Sequence, residues 1–146
     1  SAIAAADGAP FVARSVHAAG GSGFSRNFRI GDGRRHFFVK VATGGASRFA
    51  AEADGLAALA RCDALVVPRV VAAGAAGDDD FLAIEWLELD GAGDEALLGE
   101  AVAALHGTLF PRYGWHCDNF IGGTPQTNGW LDDWPTFFAD RRLRPD

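Results

Sequence analysis

Several features that mark particular classes of protein are scarce in this chain of 146 residues. It has no methionine, which indicates that its first residue is a processed, trimmed or engineered end, and it has only two cysteines. Cys62 and Cys117 lie far apart and fit neither a CxxC nor a Cys/His spacing. This pattern predicts free thiols in a reducing compartment, with the cytoplasm as the expected location, rather than a disulfide or a zinc site.

Long apolar runs and excess positive charge are missing as well. No run approaches the roughly eighteen apolar residues that a membrane helix needs, and the first residues lack the charged flank and apolar stretch of a signal peptide. A net charge of -6 disfavours duplex DNA and anionic membranes as main partners, although it allows one phosphate-binding cleft. We therefore expect a soluble protein with no nucleic-acid or membrane partner.

Lysine is almost absent. Lys40 is the one lysine among thirteen basic residues. It lies in residues 36–41, a run that alternates as a strand does, with Phe37 and Val39 on one face and Lys40 on the other. Lysine provides a compact point charge that the planar fork of arginine does not replace at a phosphate or carboxylate. The ordinary alternative is a surface lysine at a strand end.

A glycine-rich segment precedes this strand. Residues 11–17 and 24–30 read as strands separated by a glycine loop at 18–23, and Gly31-Asp32-Gly33 predicts the turn of a hairpin that ends at Lys40. A Walker A loop is excluded because the sole lysine lies in a strand instead of heading a helix. A dinucleotide fingerprint is excluded because a strand, not a helix, follows the glycines. What remains is a glycine hairpin that could cover phosphates.

The next segment, residues 47–61, predicts a helix with Ser47 as its cap. Its apolar stripe consists of Phe49, Leu56 and Leu59. Glu52 lies within or beside that stripe, where a carboxylate without a partner is costly, so we expect it to pair with a cation. Lys40 is the best candidate for that cation. A solvated carboxylate on the helix edge is the alternative.

Two further strands complete the predicted sheet. Residues 66–73 form one strand, in which Pro68 suggests an edge, a start or a bend, and residues 81–89 form the other. The aspartates of the intervening segment, 75–80, read as a solvated turn, and metal binding there is disfavoured. The prediction is therefore five strands with one helix after the third, an arrangement that resembles the small lobe of a kinase.

The last third of the chain predicts two helices around a long loop. Residues 94–109 give the clearest helix, which we expect to pack beneath the sheet with His106 as a hydrogen-bonded core histidine. Periodicity then disappears over residues 113–128, whose aromatic side chains favour a functional loop over disorder. Asp133-Trp134-Pro135 begins another helix, with proline in its first turn.

Together these stretches resemble the fructosamine kinase (ketosamine kinase) family, relatives of the aminoglycoside phosphotransferases within the protein-kinase-like fold. The resemblance is carried by Phe38-Val39-Lys40, residues 51–56, 67–70 and 81–89, Leu105-His106, and above all residues 118–122 with Thr124-Pro125-Gln126 and Asn128. It implies an α+β fold with a five-stranded antiparallel sheet and one inserted helix. It further implies a small lobe at residues 1–89 and the first helices of a large lobe at 90–146.

The resemblance also implies a nucleotide site, with ATP and Mg²⁺ as cofactors. Lys40 would contact the nucleotide phosphates, and Glu52 would orient Lys40. The loop residues over the phosphates would be Gly21, Ser22 and Gly23. Those around the adenine would be Ile84 as gatekeeper, the carbonyl of Glu85, the N–H of Leu87, and Trp86 between them. No metal ligand is assigned.

The implied reaction is phosphorylation of a sugar hydroxyl on a glycated amine, with the catalytic aspartate expected beyond residue 146. His116-Cys117-Asp118 superficially resembles a catalytic loop, but Gly123 stands where asparagine is needed, so we interpret Asp118 as structural. We expect the chain alone to be inactive and its exposed apolar surface to favour self-association. The alternatives are a non-catalytic binding module and an aminoglycoside-type phosphotransferase.

Overall fold

The computed structural model describes residues 1–89, 91 and 93–144. Its elements in chain order are α1 (Ala2–Asp7), β1 (Ser15–Ser22), β2 (Ser25–Gly31), β3 (His36–Ala42), α2 (Ala46–Leu59), β4 (Val70–Ala76), β5 (Asp79–Glu85), α3 (Glu95–His106), β6 (Asn119–Ile121), β7 (Thr124–Gln126), α4 (Trp134–Phe138) and a π-helical turn (Ala139–Leu143). Among the described residues, no helix combines the length and the apolar character that crossing a membrane requires.

Five antiparallel strands form one sheet in the order β1-β2-β3-β5-β4. The helix α2 follows the third strand, so the predicted α+β architecture is confirmed. β3 lies at the centre of the sheet, and its Lys40 stands opposite Asn27 on one side and Leu82 on the other. The predicted boundary between small and large lobes falls at residue 90, which lies outside the described residues.

The two faces of the sheet carry separate apolar clusters. On one face Phe37 and Val39 pack with Phe11 and with Ile3 from α1. The other face holds a second cluster of Ala42, Leu82 and Ile84 packed against Phe49 of α2. Strand alternation therefore turns Lys40 toward α2, as the sequence predicts.

The glycine segment differs from its prediction as a loop. β1 begins at Ser15, not at Phe11, and continues through the glycines to Ser22, with only Gly23 and Phe24 forming the turn. A register irregularity between Ala18 and Gly21 lets this glycine stretch remain paired with β2. Phe11 instead packs edge-on against Phe37 with ring centroids 5.1 Å apart, so it reads as apolar without belonging to a strand.

The start of α2 and the aspartate turn were also predicted wrongly. Gly45, not Ser47, is the N-cap, and it offers no side chain. Instead the Ala46 N–H donates to Asp80 Oδ2 at 3.0 Å. The neighbouring Asp79 binds Arg26 Nη2 at 2.7 Å, so two aspartates of the predicted solvated turn are engaged. A cap that comes from a distant strand leaves no local sequence signal.

β4 starts later than predicted. It begins at Val70, after Pro68, which lacks the N–H that ladder pairing needs. β4 is an edge strand, one of the positions that the proline suggested. The predicted strand at residues 81–89 ends at Glu85 and continues without strand pairing.

The prediction that the 94–109 helix packs beneath the sheet is wrong. None of the residues of α3 is buried, and Leu98 is 59% exposed. His106 is exposed as well, so it is not a core histidine. Both faces of the sheet already carry other packing partners, Phe49 of α2 on one and Ile3 of α1 with Phe11 on the other.

The predicted loop at residues 113–128 contains a small hairpin, β6–β7. The end of this hairpin is joined to the π-helical turn, because Arg142 donates to the carbonyl of Thr127 at 3.0 Å. The helix α4 begins as predicted, with Asp133 as N-cap accepting from the Thr136 N–H at 2.9 Å. Hydrogen bonds from the hydroxyl and N–H of Thr136 hold the pKa of the Asp133 carboxyl below its ordinary value.

Candidate functional site

The centre of the candidate site is an ion pair between β3 and α2. Lys40 Nζ lies 2.6 Å from Glu52 Oε1, which confirms the predicted pair. The side chains are 25% and 33% exposed, so both charges keep contact with solvent. β3 fixes the lysine at the middle of the sheet, and the cap from Asp80 fixes the start of the helix that carries the glutamate. The ammonium group is thus held in place without being enclosed.

A cavity of about 350 Å³ opens at this pair. Four parts of the chain contribute its wall: the β1–β2 hairpin, β3, the face of α2 and the β6–β7 hairpin. Its polar and charged lining residues are Ser22, Ser25, Lys40, Arg48, Glu52 and Asn119. Its apolar and glycine lining residues are Phe24, Phe49, Ala51, Phe120 and Gly122. The cavity therefore has two cations and one carboxylate.

Of the predicted loop residues, Ser22 lines the cavity, whereas Gly21 and Gly23 lie in the same hairpin but are not among its lining residues. Gly20 adopts a φ of 80°, which favours glycine. A Cβ at Gly21 would lie 3.0 Å from the carbonyl oxygen of Ser25, so that position favours glycine too. Ser22 lines the cavity, and its hydroxyl accepts the N–H of Phe24 at 3.2 Å. Gly23 begins the two-residue turn beside it.

Phe24 links this turn to the β6–β7 hairpin, and the sequence analysis missed it. A Cβ at Gly123 would lie 2.6 Å from the Phe24 ring, which shows how closely the two turns approach. Arg48 Cζ lies 5.4 Å from the centroid of the same ring. Arg48 was missed too, although it stands four residues before Glu52 and therefore on the same helix face.

The predicted hinge residues lie around a different hollow, of about 320 Å³. Ile84, Glu85, Trp86 and Leu87 line it together with Phe38. Phe38 is on the same strand face as Lys40, two residues or roughly 7 Å away. The structure thus brings the two predicted groups to one face of the sheet, in adjoining hollows.

Trp86 is the best-fixed residue of the hinge. Its ring packs against Phe38 with centroids 6.2 Å apart, and Arg29 Cζ lies 4.8 Å from its ring centroid. Arg29 also pairs with Glu88 at 3.1 Å, so β2 holds the hinge segment from the side. The indole Nε1 of Trp86 is buried and has no hydrogen-bond partner among the described residues. A buried donor without a protein partner can donate a hydrogen bond to a bound ligand.

Asp118 takes part in an internal network and not in the cavity wall. Its Oδ1 accepts the N–H of Asn128 at 2.7 Å, and Asn128 Nδ2 donates to the carbonyl of Cys117 at 3.0 Å. Arg142 Nη2 donates to Asn128 Oδ1 at 2.6 Å. Asn128 is only 4% exposed, so this network fixes the base of the β6–β7 hairpin. The arrangement supports the structural interpretation of Asp118.

The lining fits a polyphosphate better than a metal. Lys40 and Arg48 supply positive charge, and Ser22 and Ser25 of the β1–β2 hairpin supply hydroxyl groups. The cavity lining contains a single carboxylate, Glu52, and Lys40 already holds it. Magnesium needs oxygen ligands, so the described cavity does not provide a site for it.

The sheet has this strand order and one inserted helix, and its strand lysine pairs with a helix glutamate beside a glycine hairpin. Together these features define the protein-kinase-like class of folds. The comparison with family models agrees with the resemblance seen in the sequence. The fructosamine kinase family matches residues 1–146, and the chain belongs to that family.

Curated relatives point the same way. A probable ketoamine kinase of Synechocystis is 35% identical over 147 residues, which cover 97% of this chain and 49% of that protein. A probable ketoamine kinase of Klebsiella aerogenes is 43% identical over 99 residues, covering 65% of this chain and 34% of that protein. The chain therefore spans about half the length of the first of these relatives.

Solved structures agree in fold. A crystal structure assigned to a fructosamine-3-kinase of Haemophilus somnus matches with a TM-score of 0.86 and 29% identity, over 97% of this chain and 50% of that one. Another, from Thermobifida fusca, matches with a TM-score of 0.77 and 28% identity, over 96% and 49%. The predicted kinase-like α+β fold is confirmed.

Proposed function

We propose that this chain is the nucleotide-binding part of an ATP-dependent kinase that phosphorylates a sugar hydroxyl on a glycated amine. The observation that carries the proposal is the Lys40–Glu52 ion pair at 2.6 Å, at the wall of a cavity beside the glycine hairpin. The names of the relatives, which are ketoamine and fructosamine kinases, support the choice of acceptor.

Each predicted residue has a role in this proposal. Lys40 binds the nucleotide phosphates through its ammonium group, and Glu52 keeps that group in place. Gly21, Ser22 and Gly23 cover the phosphates, with Ser22 in the cavity wall. Arg48, four residues before Glu52, adds a second cation. ATP supplies the phosphoryl group that is transferred.

The hinge completes the nucleotide site. The predicted contacts to the adenine edge are the carbonyl of Glu85 and the N–H of Leu87, with Ile84 behind them as gatekeeper. Trp86 between them packs on Phe38 and adds a buried indole N–H without a partner among the described residues. These residues line the hollow next to the Lys40 cavity, which supports one extended ligand lying across both.

The remaining machinery belongs, in this proposal, to the part of the relatives that the chain does not match. Residues 1–89 act as the small lobe and residues 90–146 as the start of the large lobe. Holding Mg²⁺ and supplying a catalytic aspartate both require carboxylates besides Glu52. Glu52 is the one carboxylate of the cavity lining, and it is already paired with Lys40. Cytoplasmic location remains a prediction, supported by the free thiols of Cys62 and Cys117.

A second candidate is a non-catalytic binding module built on the same lobe. The observation that favours it is the state of Asp118, whose Oδ1 is engaged by the Asn128 N–H and is therefore poorly placed to act as a base. An aminoglycoside-type phosphotransferase would share the same nucleotide lobe and differ in its acceptor.

Reading the gene downstream of codon 146 separates the kinase from the module. A reading frame that continues into a His-Gly-Asp type loop supports the kinase, and a stop codon supports the module. A coupled ATP-consumption assay with a ketosamine acceptor then tests the chain itself, which is expected to give no turnover. Turnover that Asp118→Asn abolishes would make Asp118 the base and overturn its structural interpretation.

A further inference from the structure

Three side chains with metal-ligating atoms meet outside the nucleotide cavity. Asp54 belongs to α2, whereas His116 and Cys117 lie in the segment before β6. His116 Nε2 lies 3.1 Å from Asp54 Oδ1, and Cys117 Sγ lies 3.7 Å from Asp54 Oδ2. One ligand atom from each of the three residues lies within 4.8 Å of the other two. Two residues that are adjacent in sequence thus meet a third from a distant helix.

These separations fit a tetrahedral cation. With bonds of about 2.3 Å to sulfur and about 2.0 Å to nitrogen and oxygen, tetrahedral ligand atoms stand roughly 3.3 to 3.6 Å apart. His116 lies 3.1 Å from Oδ1 and Cys117 lies 3.7 Å from Oδ2 of the same carboxylate, and the three ligand atoms lie within 4.8 Å of one another. Each separation is close to the tetrahedral range, so side-chain rotations that draw the three ligand atoms together would close the site.

The surroundings also suit a metal. Trp115 Nε1 donates to Asp54 Oδ2 at 2.5 Å, which orients the carboxylate and leaves Oδ1 for a ligand, as outer hydrogen bonds do around metal sites. The Trp115 ring itself is packed between Phe110 and Trp130, with centroids 6.3 and 6.2 Å away. His116 is 52% exposed, so the cluster is open to entering ions and to water.

Charge favours a cation here as well. The carboxylate of Asp54 contacts the Cys117 thiol, and a second carboxylate, Asp118, follows Cys117 in the chain. A divalent ion would offset both carboxylates and stabilise the thiolate, which is the form that binds metal. Sulfur and imidazole ligands select zinc-like ions over magnesium, so such an ion would be distinct from any metal that accompanies a nucleotide.

We propose that Asp54, His116 and Cys117 form a binding site for Zn²⁺ or a similar thiophilic divalent cation, with a fourth position open to water. The ion joins α2, which carries Glu52 one half-turn earlier, to the segment that leads into β6. It thereby fixes two walls of the nucleotide cavity relative to each other. Because Asp54 and Cys117 are 63 residues apart in the chain, no local spacing motif reveals the site.

Cobalt titration of the 146-residue chain tests the proposal directly. Bound to the three residues, Co²⁺ gives a sulfur-to-cobalt charge-transfer band in the near ultraviolet and intense visible bands typical of tetrahedral coordination. We expect these bands to saturate at one equivalent and to disappear when Zn²⁺ is added. Absence of the charge-transfer band at one equivalent would overturn the proposal.

The two cysteines provide a matched control, since the chain contains no others. Cys117→Ser is expected to lose the charge-transfer band, and Cys62→Ser is expected to keep it. His116→Asn should weaken cobalt binding by more than about tenfold, the lower end of what loss of even an outer partner costs. His106→Asn, which removes an exposed imidazole elsewhere, should change nothing. The assignment is wrong if Cys62→Ser loses the band while Cys117→Ser keeps it. It is also wrong if His106→Asn weakens cobalt binding more than His116→Asn does.

Thermal melting provides a second readout and checks folding. Zn²⁺ should raise the melting temperature of the wild type and of Cys62→Ser, but not that of Cys117→Ser. Circular dichroism of the metal-free variants shows whether each is folded. If Cys117→Ser does not fold, His116→Asn decides the question, because its half-exposed side chain can be replaced without opening the core. Equal zinc stabilisation of wild type and His116→Asn would refute the site.

Discussion

Lys40 and Glu52 matter for where they hold charge more than for how much they stabilise the fold. The side chains remain 25% and 33% exposed, so solvent screens their attraction and the pair contributes about 1 kcal/mol or less to stability. The same partial exposure leaves the ammonium group accessible from the cavity. An ion pair of this kind is better suited to positioning a ligand than to holding β3 against α2.

Asp118 has the opposite character, because this exposed residue accepts the N–H of the buried Asn128. Asp118→Ala removes the acceptor of the Asn128 N–H, and an unpaired buried donor costs about 1 to 3 kcal/mol. We therefore expect a clear loss of unfolding free energy in urea denaturation. Asp118→Asn, which keeps an acceptor oxygen, should lose less.

Asp63 supplies the control for this experiment, since it is an exposed aspartate in the turn after α2. Asp63→Ala should stay within about 0.5 kcal/mol of the wild type. If Asp118→Ala is as stable as Asp63→Ala, the structural role of Asp118 is wrong.

Single residues of the site differ in how well the sequence reveals them. Lys40 stands out as the sole lysine, and Glu52 as a carboxylate beside an apolar stripe, so their pairing could be predicted. Arg48 carried a weak signal, four residues before Glu52, that was overlooked. Phe24 carried none, because its contact with Gly123 joins two turns far apart in the chain.

Among the elements, the β2–β3 hairpin depends on one carboxylate. Asp32 Oδ1 accepts the N–H groups of Arg35 at 2.8 Å and Arg34 at 2.9 Å, and Oδ2 binds the Arg35 guanidinium at 2.7 Å. These contacts, the Arg35 N–H first, hold the pKa of Asp32 far below its ordinary value. The stability they contribute is complete above the ordinary aspartate pKa of about 3.9 and is lost as pH falls toward the lower folded-state value.

Asp32→Asn should therefore lower the melting temperature at pH 7, and the difference from wild type should narrow as pH falls below about 4. Thermal melts of both proteins at pH 7 and at successive acidic pH values measure this. A difference that stays constant or widens in acid would contradict the assignment of the lowered pKa to Asp32.

The contact between the β1–β2 and β6–β7 turns gives a second prediction at this scale. In Gly123→Ala the new Cβ would lie 2.6 Å from the Phe24 ring, so this half-exposed ring must move away, at a cost of about 1 kcal/mol, the lower end of what overpacking costs. Urea denaturation should show this loss, and adding Phe24→Ala should relieve part of it.

Gly99 in α3 is the matched control, because a Cβ there meets nothing within 4 Å. Gly99→Ala should raise stability by up to about 1 kcal/mol through helix propensity. Loss of stability in both glycine variants, or in neither, would argue against the turn contact.

Helices and strands were predicted well where the local sequence pattern determines them, and poorly where contacts between distant residues determine their ends or their position. The alternation of β3 and the proline at the start of α4 gave correct elements. The cap of α2 could not be seen, since Asp80 lies 34 residues from Ala46. Nor could the position of α3, because its apolar stripe predicts burial without naming the surface that buries it.

For the whole molecule, the exposed face of α3 is the main unpaired feature among the described residues. Its large apolar side chains include Leu97, Leu98 and Val102, all exposed. Contiguous apolar surface of this kind favours association. We expect sedimentation velocity to show a mass that rises with concentration, and Leu98→Glu to shift the chain toward monomer.

Val66→Glu serves as the control, because Val66 is an even more exposed apolar residue in the segment before β4. It should leave the association unchanged. A wild type that stays monomeric at all concentrations, or equal effects of the two substitutions, would remove α3 from any interface.

The central claim is that the Lys40 cavity binds a nucleotide, and calorimetric titration with ATP and Mg²⁺ tests it most directly. Wild type should bind one nucleotide, and Arg14→Ala, which removes an exposed cation elsewhere, should bind equally well. Lys40→Ala loses a charge-assisted contact of about 1.5 to 3 kcal/mol, so its affinity should fall roughly 10- to 100-fold, with Lys40→Arg in between. Equal affinity of wild type and Lys40→Ala, or no binding by the wild type, would contradict the claim.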